Sequence, residues 1–114
     1  MELEFQGPGG DAFDRALDAL QAGEPVTYRG MTLVLRGAGF DVRVPAPAAV
    51  PSAARALDLL TRARYRLGAL LASAPPLEAA VGNRTPRLVL VAGEAADAAE
   101  LYELRGDRLR SLHE

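Results

Sequence analysis

From Pro51 to Ala74 the apolar positions recur every three or four residues without a break, in the run PSAARALDLLTRARYRLGALLASA. At about 100° per residue, Ala56, Leu59, Leu60, Ala63, Leu67, Leu70 and Leu71 share an arc of about 120°, the stripe of a helix that covers a sheet. Pro51 suits a first turn, where a missing donor has no partner to lose, and Pro75-Pro76 ends the segment for lack of donors. The opposite face carries Arg55, Asp58, Arg62 and Arg66, with Tyr65 at its border. Asp58 stands four residues before Arg62, the acid-first order that favours a helical pair by about 0.3–0.5 kcal/mol. Arg64 points away from this row, where its stem suits the apolar edge of a sheet.

Around that segment the pattern changes period. Asp11 to Ala22 reads as a helix capped by Asp11, with a stripe of Phe13, Ala16, Leu17 and Leu20 and a stop at Gly23. Val26 to Val44 alternates with period two: Met31, Leu33 and Leu35 against Thr32, Val34 and Arg36, then Phe40, Val42 and Val44 against Asp41 and Arg43. This predicts a three-stranded antiparallel meander with its buried side toward the long helix. Residues 45–50, PAPAAV, read as an extended connector. Leu77 to Val81 adds a helical turn, and the apolar run Pro86 to Ala92 reads as a central strand covered on both faces.

Residues 94–112 read in two ways, as a helix over Ala95 to Leu104 or as two strands joined at Gly106-Asp107, with the hairpin preferred. The expected fold is an α+β two-layer sandwich, an antiparallel sheet covered on one face by a long helix. Its expected element order is α-βββ-α-ββ, ending in a further strand or helix. Residues 11–114 form one expected domain. Residues 1–10 are expected to be disordered or derived from an expression vector, because LEFQGP resembles a shortened viral protease cleavage site. Each half is a helix followed by a meander, an echo carried by element order and not by residues.

Composition narrows the chemistry. The 114 residues carry a net charge of −2 and no cysteine, so disulfides, thiol catalysis and zinc–thiolate sites are ruled out. All 13 basic residues are Arg; with no Lys there is no Schiff base and no phosphate-loop lysine. Abundant Ala, Leu, Gly and Pro, with no Ile, fit a GC-rich bacterial genome. His113, the single His, reads as a solvated tail residue. No apolar run nears 18 residues and no secretory signal is apparent, so a cytoplasmic protein with no membrane partner is expected.

The element order resembles that of the type III secretion chaperones and related small acidic adaptors, over most of the chain. The first helix, three strands and second helix also resemble the double-stranded-RNA-binding domain. That family carries a basic cluster at the start of its second helix, where this chain reads Ser52-Ala53-Ala54-Arg55.

The first functional expectation is a non-catalytic protein-interaction module, adaptor-like or chaperone-like, pairing with itself as a homodimer or with another protein, with no cofactor and no metal. Its binding residues are Arg55, Arg62, Tyr65 and Arg66. The alternative is a nucleic-acid-binding domain that meets phosphates with Arg55, Arg62 and Arg66, extended by Arg84 and Arg87. A catalytic reading has only Asp14, Asp18, Asp41, Tyr28 and Tyr102 to draw on, and no partner for any of them stands out in sequence, so no enzyme is expected.

Overall fold

The fold is that of a computed structural model describing residues 3–47, 49–93 and 97–113. In chain order it runs β1 (Leu3–Phe5), α1 (Gly10–Gln21), β2 (Val26–Tyr28), β3 (Met31–Arg36), β4 (Gly39–Pro45), α2 (Ala53–Ser73), α3 (Pro75–Val81), β5 (Pro86–Val91), β6 (Glu100–Arg105) and β7 (Arg108–Ser111). The seven strands form one sheet in sequence order. Pairing is antiparallel except at β1–β2 and β4–β5, each bridged by helical crossovers. The α+β sandwich with helices on one face is as expected.

The long stripe behaves as its spacing dictates. Ala56, Leu60, Ala63, Leu67 and Leu70 are buried, and Leu59 and Leu71 pack against the same core. The start differs by two residues: the helix begins at Ala53, not Pro51, behind Ser52 as cap, its hydroxyl accepting from the Arg55 amide at 3.2 Å. Pro75 then opens α3, a full short helix where one turn was expected. Arg84 fastens the end of α3 by donating to the Ala80, Val81 and Gly37 carbonyls.

Four expectations are corrected. The first meander lies under α1, which packs on β1, β2 and β3, while α2 lies over β5, β6 and β7. Asp11 sits inside the first turn of α1 and does not cap it. Leu3–Phe5 is a strand: Phe5 is 2% exposed and its ring meets Phe13 and Tyr28 at 5.8 and 5.1 Å. Residues 1 and 2 of that predicted disordered start lie outside the described residues. His113 does not trail free, since its ring meets Tyr102 edge-on at 5.0 Å. The hairpin reading of the C-terminal segment is the one adopted, although residues 94–96 lie outside the described residues.

The echo between the halves is also stronger than element order. Each half is a strand, a helical crossover, a parallel return strand and two antiparallel strands, and β4 serves as last strand of one unit and first of the next. Arg15-Ala16-Leu17-Asp18-Ala19-Leu20 in α1 matches Arg55-Ala56-Leu57-Asp58-Leu59-Leu60 in α2. Ala16 and Leu20, like Ala56 and Leu60, point into the core. Leu35-Arg36-Gly37 and Leu104-Arg105-Gly106 enter matching two-residue hairpins, with Arg36 opposite Gly39 and Arg105 opposite Arg108. Gly37 and Gly106 hold φ of +56° and +59°, the left-handed first position that mirrored hairpin turns reserve for glycine. The chain is therefore an internal repeat that the expectation of bare element order missed.

Two truncations measure these assignments. Leu60→Ala should cost about 2–5 kcal/mol and Phe5→Ala about 3–5 kcal/mol in urea unfolding monitored by circular dichroism. A loss near zero for Phe5→Ala would remove β1 from the fold.

Candidate functional site

The helices all lie on one face, so the other face of the sheet must make its own cover. Strand alternation fixes what stands there. Thr32, Val34 and Arg36 come from β3, Asp41 and Arg43 from β4, and Arg87, Val89 and Val91 from β5. Glu100, Glu103 and Arg105 come from β6, and Arg108 and Arg110 from β7. Val34, Val89 and Val91 are 6%, 0% and 3% exposed although no described helix packs there. By register Val34 stands beside Asp41, Val89 between Arg43 and Glu103, and Val91 beside Glu100, and the stems of the longer charged chains suit apolar surface while their charges reach outward.

Glu103 is the centre of this layer and the only buried charged residue among those described. One of its oxygens accepts from Arg87 Nε at 2.5 Å and lies 3.4 Å from Arg105 Nε; the other lies 3.5 Å from Arg110 Nε. Arg87 also donates to Glu100 at 2.9 Å and approaches Asp41 at 3.7 Å. Glu100 in turn meets Arg43, which donates to the Ala98 carbonyl at 3.3 Å. Burial by itself disfavours both charges at the centre. The hydrogen bonds to Glu100 and Glu103 outweigh it and raise the Arg87 pKa above the arginine range. Likewise the Arg87 and Arg105 guanidinium groups hold the Glu103 carboxyl below its ordinary 4.5 despite its burial.

Beside this lattice, over the first unit, lies an open groove of about 530 Å³. Thr27, Thr32, Val34 and Asp41 line it, with Glu4, Arg36, Arg43 and Glu100 among its charged walls. In the repeat, Glu103 corresponds to Val34 and Arg105 to Arg36. The second unit fills with its own carboxylate the place that the first unit leaves open.

The sequence-predicted binding residues lie elsewhere, on the outer face of α2. Arg55 and Arg62 bracket Asp58 at 3.0 and 3.3 Å, and Arg66 donates to the Arg29 carbonyl at 3.4 Å. Tyr65 is 77% exposed between them. Arg64 donates to the Gly106 carbonyl and so ties α2 to the β6–β7 turn. Arg84 and Arg87 do not join the row: both are engaged in the fold.

The catalytic candidates do not converge. Asp14 and Asp18 are exposed on α1, Tyr28 is buried against Phe5, and the Tyr102 hydroxyl donates to the Pro51 carbonyl. Asp41 alone stands on the open face. No three His, Asp or Glu among the described residues gather as metal ligands, and no described helix is long and apolar enough to cross a membrane. Comparison with family models, with curated proteins and with solved structures gives no match.

Glu103 was missed because alternation alone marks it as a wet-face residue between Tyr102 and Leu104. The available signal was Arg87 in an otherwise apolar strand, a charge that needs a partner on the same face.

Two outcomes test the lattice. Glu103→Gln removes one of the two carboxylates that hydrogen-bond Arg87 and should cost about 2 kcal/mol in denaturant unfolding. Because the folded pKa of Glu103 lies below the unfolded value, its stabilisation is present above pH 4.5 and is lost as pH falls through the depressed value. A stability–pH profile should therefore decline on the acid side of pH 4.5, and less steeply in Glu103→Gln.

Proposed function

We propose that this chain is a non-catalytic protein-interaction module that uses the open sheet face as its contact surface, and that its first partner is a second copy of itself. One observation carries the reading. A whole face of a seven-stranded sheet carries no helix among the described residues and presents both signs of charge around a groove. A two-fold dimer uses the same patch twice, so a patch holding acids and bases together suits itself in a way that a single-sign surface does not. The sheet edges suit pairing less. β1 is three residues long, and β7 places Arg108 and Arg110 among its four, the short and charged ends that discourage strand addition.

The nucleic-acid reading has less behind it. Asp58 sits between Arg55 and Arg62, and the open face sets Glu4, Asp41 and Glu100 among its arginines. A phosphate chain meets acid on both surfaces.

Sedimentation velocity of the full chain from about 10 μM to 1 mM is the test, a range that spans weak contacts. The expected result is a mass that rises with concentration toward that of a dimer; a monomer throughout overturns self-association. In fluorescence anisotropy at low salt, generic DNA and RNA should show no saturable binding at about micromolar protein, where non-specific binders already bind. Saturable binding abolished by Arg62→Glu with Arg66→Glu would move the site to α2.

A further inference from the structure

Resting on that reading, we propose which half of the open face meets the second copy and in what orientation: the first unit, about a two-fold axis that runs parallel to the strands between β2 and β3. Strand register places Glu4 beside Thr27, Thr27 beside Thr32, and Thr32 beside Arg43. These four residues form one row across β1–β4, a carboxylate at one end, two hydroxyl residues in the middle and a guanidinium at the other. All four line the groove. With strands about 4.8 Å apart, the charged ends stand about 14 Å apart at the backbone.

Rotation by 180° about an axis through the middle of this row lays Glu4 on Arg43 of the second copy, and Arg43 on its Glu4. Thr27 then faces Thr32, and the groove-lining Val34 faces the side of Pro25. Two opposite-charge contacts form at once, with no like-charge contact between the row's ends. The second unit offers no equivalent. Its carboxylate is already enclosed by Arg87, Arg105 and Arg110, and Arg105 stands directly opposite Arg108 at the exposed end of the sheet. A two-fold contact centred there brings arginines onto arginines.

Strands of three, three, six and seven residues, at about 3.3 Å per residue and about 4.8 Å apart, give about 300 Å² of contact per copy, under half of a standard interface. The dimer is therefore weak and concentration-dependent, which suits a surface that also opens to other polypeptides.

Charge exchange tests the orientation. Glu4→Arg and Arg43→Glu should each weaken self-association at least about tenfold in sedimentation equilibrium, because each turns both symmetric contacts repulsive. The double variant, and an equimolar mixture of the two single variants, should return to within about threefold of the parent. Arg43 also holds Glu100 and the Ala98 carbonyl. If circular dichroism shows Arg43→Glu unfolded, Arg43→Gln replaces it, and its mixture with Glu4→Arg should associate more tightly than Glu4→Arg alone. A dimer indifferent to both single variants, or one that neither the double variant nor the mixture restores, overturns this orientation and leaves the interaction reading standing. A parent chain that never dimerises overturns self-association itself.

Discussion

The constraint from which the rest follows is that, among the described residues, three helices cover a seven-stranded sheet on one side only. An antiparallel sheet commonly leaves one face to water, but this face also carries Val34, Val89 and Val91, which water disfavours. The chain meets both demands with arginine. Its stems suit apolar surface while its charges stay near solvent, and the carboxylates of Glu103, Glu100 and Asp41 lie among those charges. The arrangement depends on Glu103 being ionised although buried, which in turn depends on Arg87 from the neighbouring strand.

That dependence separates the two halves of the face in character. Over β5 to β7 the central carboxylate of Glu103 is enclosed by Arg87, Arg105 and Arg110. Over β1 to β4 the same backbone plan carries Val34 in place of the central carboxylate, and a groove takes its place. A repeat in which one unit encloses its carboxylate and the other stays open is a plain way to confine contact to one end of a sheet. On α2, Asp58 pairs with Arg55 and Arg62 and offsets part of the charge of that row, beside the exposed ring of Tyr65.

Local pattern was enough to read some of this structure and not the rest. The stripe from Ala56 to Leu71 and the alternation from Phe40 to Val44 each specify a face by themselves, so α2 and β4 were legible. β1 was not, because three residues before a Gly- and Pro-rich stretch carry no period; its order comes from a parallel pairing with β2 and from Phe5 seated on Phe13. Glu103 looked like surface because what buries it comes from another strand. The repeat was hidden by unequal spacing: α2 is longer than α1, α3 has no counterpart in the first unit, and the β5–β6 register shifts at Leu90 and Val91, so that Leu101 has no register partner on β5.

The strand common to both units has a mechanical consequence. β4 is held antiparallel by β3 and parallel by β5, so its register is fixed twice over. Sliding it by one residue would throw Phe40, Val42 and Val44 into water and draw Asp41 and Arg43 into the interior of both layers at once. Neither unit can be cut away complete, because whichever keeps β4 takes a wall from the other. The two units are not beads on a string but one plank with a shared keel.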